Sequence, residues 1–179
     1  MMGWWQLYAG VLLGSAALSL VFTFLFREAG ARWGFTDKPD MERHKRHVKA
    51  TPVLGGAAMF CSWFLIVGLG MLSTLLPRDL LTPEVATHVR HMQRILPRLL
   101  IIMGGALAVA LVGLYDDWRA LPALPKFVAQ FLVVAVVATF GVRIKLFIAA
   151  PMLTWLLTVL WLLFIVNAVN FFDNMDALA

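Results

Sequence analysis

The strongest constraint on this chain is the recurrence of apolar runs long enough, or nearly long enough, to cross a bilayer. Five occur, at about Trp4 to Phe26, Val53 to Leu76, Leu99 to Tyr115, Phe127 to Val142 and Ile148 to Val169. A spanning helix needs about 20 predominantly apolar residues, because a rise of ~1.5 Å per residue must cover ~30 Å of hydrocarbon. The fourth run is short on that measure. Within hydrocarbon every backbone N–H and C=O must find a partner inside its own segment, so such runs fold as helices. Only 14% of the 179 residues are charged, against about 25% in a soluble domain. So few charges cannot cover a soluble surface. The expected fold is all-α, a polytopic integral membrane helix bundle with about five transmembrane helices, spanning residues 1–179 as one membrane domain.

The first run is read as a span and not as a cleaved leader. "MMGWWQ" has no basic stretch ahead of it, and the run is too long for a signal peptide. Trp4, Trp5 and Tyr8 suit an interfacial aromatic belt. The single cysteine, Cys61, allows no internal disulfide. The net charge of +5 does not indicate nucleic-acid binding, since the basic residues sit in short connections between apolar runs. Residues 27–52 carry seven of them and residues 116–126 carry Arg119 and Lys126. Residues 77–98, expected to connect two spans and to lie partly on the membrane as a helix, carry four, and residues 143–147 carry two. Alternating sides puts nine basic residues on one face against six on the other. The positive-inside rule then assigns 27–52 and 116–126 to the cytoplasm. With five crossings the polar C-terminal stretch emerges on that same side, provided the short fourth run crosses.

Three polar stretches are candidates for chemistry. In "GLYDDWRALPALPK", residues 113–126, Asp116 and Asp117 end an apolar helix. An ionised carboxylate there must be paired, hydrated or bound to a metal. Adjacent carboxylates repel, which favours retaining a proton or recruiting a cation. Mg²⁺ takes one or two carboxylates together with substrate phosphates and waters, so the pair suits a metal–diphosphate or a general base. The plainer alternative is an interfacial helix end with Arg119 as partner.

The second stretch is "VNAVNFFDNMDALA", residues 166–179. If the last helix continues through it, Asn170, Asp173 and Asp176 share an i, i+3 row, with Asn167 one turn deeper. Such a row suits hydroxyls, a base edge or a metal-bound diphosphate; the alternative is a helix fraying into a polar loop. The third stretch, 35–56, holds Arg43, His44, Lys45, Arg46, His47 and Lys49 between the turn signals Asp37-Lys38-Pro39 and Thr51-Pro52. It would neutralise phosphates or simply set topology. Gly55 and Gly56 behind it are expected to allow close helix packing.

Taken together, the three stretches resemble the polyprenyl-phosphate N-acetylhexosamine-1-phosphate transferases (glycosyltransferase family 4 type). Bacterial undecaprenyl-phosphate N-acetylglucosamine-1-phosphate and phospho-N-acetylmuramoyl-pentapeptide transferases are the members most similar in pattern. "DKPD" at 37–40, Arg46-His47 and "TPVLGG" at 51–56 are similar to the family's first cytoplasmic loop. "GLYDDW" at 113–118 is similar to its aspartate pair, with Lys126 in place of a downstream basic residue. "NAVNFFDNMDALA" at 167–179 is similar to its N-A-x-N-x-x-D-G-x-D-G-L segment, although Asn174 and Ala177 stand where glycine is usual.

The resemblance implies transfer of a sugar-1-phosphate from a UDP-N-acetylhexosamine to a polyprenyl (undecaprenyl) phosphate, for cell-envelope polysaccharide or peptidoglycan synthesis. It implies Mg²⁺ as cofactor, with Asp116 and Asp117 catalytic and as metal ligands. Arg46, His47, Lys126, Asn170, Asp173 and Asp176 would bind substrate at the cytoplasmic face of the cell membrane. The family's full fold has about ten or eleven spans of about 20 residues each, and this sequence carries five runs. It is therefore expected to be the N-terminal half of a longer domain, inactive alone, and to associate with the rest or as a homo-oligomer. A reading from another class is a non-catalytic membrane protein, such as half of a cation transporter or an assembly partner.

Overall fold

The computed structural model describes residues 4–33, 36–37, 51–52, 54–77, 81–144 and 149–173. The expected all-α architecture is what forms. Helix α1 spans Trp4–Trp33, α2 Gly55–Leu72, α3 Pro83–Arg119, α4 Ala123–Thr139 and α5 Pro151–Asp173. A two-residue antiparallel ladder, β1 (Thr36–Asp37) with β2 (Thr51–Pro52), joins the two ends of the α1–α2 connection, pairing Thr36 with Pro52 and Asp37 with Thr51. The chain divides into two compact units, 1–93 and 94–179.

In the first unit α1 packs against α2, whose Ala58 and Ser62 are buried one turn apart. The Ser62 hydroxyl donates to the Ala58 carbonyl at 2.7 Å and so is satisfied within its own helix. Gly55 and Gly56 do not serve the close packing expected of them. Among the described residues, a Cβ at either would meet nothing within 4 Å. At the far end of α2, the hydroxyls of Ser73 and Thr74 donate to the Gly70 and Met71 carbonyls at 2.6 and 2.7 Å, supplying partners that the helix end lacks.

The stretch 83–98 is helical, as expected in part of this connection, but it is not a separate element. It forms the opening turns of α3, continuous with the third span, in a helix of 37 residues. That is about 55 Å at ~1.5 Å per residue, nearly twice the hydrocarbon thickness. Pro83 opens the helix, where its fixed φ and missing N–H cost nothing. Val89 is buried, and the Gln93 amide donates to the Thr74 carbonyl at 3.2 Å, tying this extension to the end of α2. Pro97 has no N–H for the Gln93 carbonyl, and the division between the units falls directly after Gln93.

The second unit contains the rest of α3 with α4 and α5. Val134 and Ala138 of α4 and Val159 and Leu163 of α5 form its core, with Trp155 and Leu162 packed alongside. Helix α4 ends in a Schellman motif at Gly141, whose φ of +93° only glycine adopts without strain. There Val142 N–H donates to Val137 and Gly141 N–H to Ala138. The Trp155 indole donates to Thr139, and Ile144 N–H donates to the Thr158 hydroxyl at 2.9 Å. The start of α5 is thereby held against the end of α4, and the two helices run antiparallel. Among the described residues, four helices are long and apolar enough to cross a membrane. The exception is α4, with 17 residues, about 26 Å long.

Candidate functional site

A group of polar residues of the second unit, Asp116, Lys126, Gln130 and Asn167, lies where α3 ends, α4 begins and α5 ends. The α3–α4 corner is made by Ala120–Leu121–Pro122. Ala120 takes φ of +44°, a left-handed conformation that costs a non-glycine residue about 1–2 kcal/mol. Its N–H donates to the Asp116 carbonyl at 2.7 Å, and the next N–H, of Leu121, donates to Asp116 Oδ1 at 2.9 Å. Lys126 Nζ, in the first turns of α4, meets Asp116 Oδ2 at 2.6 Å. The Asp116 and Lys126 side chains are only 19% and 15% exposed. One carboxylate therefore closes the reversal on its inner side and binds the cation across it.

Asp117, the next residue, is exposed. Neighbouring positions on a helix point about 100° apart at 3.6 residues per turn, so the two carboxylates face different surroundings. The Arg119 guanidinium lies 4.6 Å from the centre of the Trp118 ring, a cation–π geometry. The cation that meets Asp116 is Lys126.

Helix α5 continues through Asn167 and Asn170 to Asp173, so these three fall on one i, i+3 row of a helix. Asn167 Nδ2 donates to Gln130 Oε1 at 3.1 Å and to the Leu163 carbonyl at 2.9 Å. Gln130 is 3% exposed, on the same face of α4 as Val134 and Ala138. It stands one turn beyond Lys126, about 6 Å along the axis.

Of the residues predicted from sequence, Asp116, Asp117 and Lys126 come together at the corner, and Asn170 follows the α5 turn that meets α4. Arg46, His47 and Asp176 lie outside the described residues, as does the side chain of Asp173. Gln130 was not among the candidates. Its signal was an amide inside the apolar run 127–142, four residues after Lys126.

Whether these groups suit Mg²⁺ depends on what their oxygens already do. Both oxygens of Asp116 have partners, one of them an ammonium. Among the described residues no three His, Cys, Asp or Glu side chains cluster to form a protein cage. Asp117 is exposed at the helix end, and Mg²⁺ can be held by one carboxylate together with substrate phosphates.

The class defined so far is a multi-pass membrane helix bundle with a carboxylate–lysine corner and an amide row at one end of three successive helices. Residues 99–179 match the family described as Glycosyl transferase family 4. The chain is 28% identical over 169 residues to a probable undecaprenyl-phosphate N-acetylglucosaminyl 1-phosphate transferase of Bacillus subtilis, covering 89% of this chain and 40% of that protein. It is 34% identical over 143 residues to a decaprenyl-phosphate N-acetylglucosaminephosphotransferase of Mycobacterium tuberculosis, covering 74% of this chain and 32% of that one. A protein of the same description from Mycolicibacterium smegmatis is 28% identical over 177 residues, 93% of this chain and 40% of the relative. By the family match residues 99–179 belong to glycosyl transferase family 4, and the chain is similar to these transferases over most of its length. It spans between about a third and two fifths of the length of these curated relatives. No solved structure gives a significant match.

Proposed function

We propose that the protein containing these residues transfers a sugar-1-phosphate from a UDP-N-acetylhexosamine to a polyprenyl phosphate. An oxygen of the lipid phosphate attacks the β-phosphorus of the nucleotide sugar. The bond from that phosphorus to the bridging oxygen breaks, and UMP leaves with the bridging oxygen and the electron pair. The products are a polyprenyl-diphospho-sugar and UMP. Both substrates are anionic, so the site must neutralise charge and hold the attacking and leaving oxygens in line.

The observation that carries this reading is the meeting of the α3–α4 corner with the amide row of α5 at one end of the second unit. The names of the relatives add the polyprenyl acceptor and the N-acetylglucosamine phosphate. Lys126 presents positive charge to phosphate from a position fixed by Asp116. Asp117 would hold Mg²⁺ together with the diphosphate or ready the lipid phosphate for attack, and the ion would supply charge neutralisation. Asn170, Asp173 and Asp176 would receive the nucleotide or sugar, and Arg46 and His47 would meet phosphates. The site would face the cytoplasm, and the product would serve envelope polysaccharide or peptidoglycan synthesis. A transporter would set its polar groups near mid-bilayer, whereas Asp116, Lys126 and Asn170 stand within about two turns of helix ends.

The test is UMP release by membranes carrying the full protein, given UDP-N-acetylglucosamine and a polyprenyl phosphate. Release that requires both substrates and Mg²⁺ is expected. Absence of UMP with every UDP-N-acetylhexosamine tried would overturn the proposal.

A further inference from the structure

We infer that Gln130 is a positioning residue of this site, clasping α4 to α5 through Asn167 so that Lys126 and the Asn170–Asp173 row address one substrate. This rests on the transferase reading above and deepens it.

Gln130 is the most deeply buried polar group at this end of the second unit, at 3% exposure. An amide in such a place must be hydrogen-bonded, because neither the apolar core nor lipid offers a partner. Its Oε1 accepts from Asn167 Nδ2, and that same amide nitrogen donates to the Leu163 carbonyl. Asn167 is thus held in one orientation by its own helix and aimed at the neighbouring one.

The buried core between α4 and α5 is apolar: Val134 and Ala138 with Val159 and Leu163. Such contacts are non-directional, and in lipid no hydrophobic drive favours one register of two helices over another. A single buried amide is a recognised device for setting register between helices. At the far end of the pair the contacts Trp155–Thr139 and Thr158–Ile144 fix the turn. Near the site, the Gln130–Asn167 side-chain hydrogen bond joins α4 to α5.

Lys126 lies about 6 Å along α4 from Gln130, and Asn170 about 4.5 Å along α5 from Asn167. A slip of one residue between the helices is about 1.5 Å and would displace the ammonium from the amide row by as much. A misplacement of about 1 Å can cost a catalysed reaction about 100-fold. The clasp therefore acts on catalysis through Lys126 and Asn170 without touching the reacting atoms itself.

The test is a double-mutant cycle in the full protein, read in two ways. Turnover is measured as UMP release per folded enzyme, and stability as thermal unfolding in detergent. Gln130→Leu and Asn167→Leu are each expected to lower kcat about 10-fold or more, with a smaller change in KM for the UDP-sugar. The double variant should lose no more than either single one. Exchanging the two amides, Gln130→Asn with Asn167→Gln, keeps both amides and their combined length and should stay within a few-fold of the parent, whereas Gln130→Asn alone, one methylene short, should not. That comparison carries the test if the leucine variants fail to fold. Parental kcat in Gln130→Leu, multiplicative losses in the double leucine variant, or equal rates for the exchanged pair and Gln130→Asn alone would each overturn the inference. If the parent releases no UMP, the transferase reading has failed. The clasp is then judged by coupling in unfolding alone, and absence of coupling between positions 130 and 167 overturns it.

Discussion

The two adjacent aspartates should separate when stability and turnover are measured on the same variants. Asp116→Asn keeps an oxygen able to accept from Leu121 N–H but removes the charge 2.6 Å from Lys126 Nζ. An exposed ion pair contributes about 0–1 kcal/mol, and removing one partner of a fully buried pair costs about 3–5 kcal/mol. With side chains 19% and 15% exposed, this pair lies between those limits. A loss of about 1.5–3 kcal/mol is expected, the range for a hydrogen bond to a charged group. Asp117→Asn changes an exposed side chain and should stay within about 0.5 kcal/mol of the parent. Turnover should fall by at least about 100-fold in both, the scale of a lost catalytic or positioning group. Unfolding in mixed micelles and UMP release on the same preparations provide the two readouts. Lys126→Met combined with Asp116→Asn should cost less stability than the sum of the single changes, because neither charge is then left alone. Equal stability of the two Asn variants, or strict additivity at 116 and 126, would refute the corner as described. Near-normal turnover in both Asn variants would refute the catalytic assignment.

Neighbouring glycines on α3 give a second contrast. A Cβ at Gly105 would fall inside the van der Waals envelope of Val137 Cγ2 on α4, whereas one at Gly104 meets nothing within 4 Å. Gly104→Ala should therefore stabilise by up to about 1 kcal/mol through helix propensity. Gly105→Ala should fall about 1–3 kcal/mol below it through overpacking, and Val137→Ala should relieve the difference; unfolding midpoints check all three. Gly141→Ala should cost about 1–2 kcal/mol, because φ of +93° places a side chain in the left-handed region; the same assay reads it. Thr158→Val should cost about 1–3 kcal/mol, since it leaves Ile144 N–H without the hydroxyl that accepts from it. Hydrogen exchange at Ile144 should rise in that variant.

Hydropathy made the helices legible because a bilayer leaves the backbone few alternatives. It failed at 83–98, where Arg90, His91, Arg94, Arg98 and Pro97 read as a connection. The helical signal was nevertheless present. Val85, Val89, Met92 and Leu96 recur at spacings of four, three and four, which is the stripe of an amphipathic helix. Hydropathy weighs charge against apolarity and is blind to which face each occupies. The start of α4 was set late, at Phe127 in place of Ala123, for the same reason. Pro125 and Lys126 interrupt the apolar run, although proline is tolerated in a first helical turn. The β1–β2 ladder is two residues long in each strand, too short for alternation to register.

By counting crossings, whether the short helix α4 spans the bilayer decides which polar stretches share a side. Within the second unit the meeting depends instead on chain reversal. Antiparallel packing of α4 on α5, with a three-residue corner between α3 and α4, brings Asp116, Lys126, Gln130 and Asn167 to one end whatever solvent surrounds them. The sequence shows the acids and the amides but conceals the corner. Its left-handed residue is Ala120, where glycine or asparagine would have signalled the turn. The ten-residue step from Asp116 to Lys126 matches no single helix face. Only after the reversal does it become a contact, and that contact differentiates two carboxylates that look equivalent in sequence. Asp116 is committed to backbone and lysine on the inside of the corner, while Asp117 stays on its exposed side. A pair of acids at the end of a membrane helix thus divides its duties by helical geometry alone. Asp116 builds the corner that holds Lys126, and Asp117 lies on the exposed side of the same helix end.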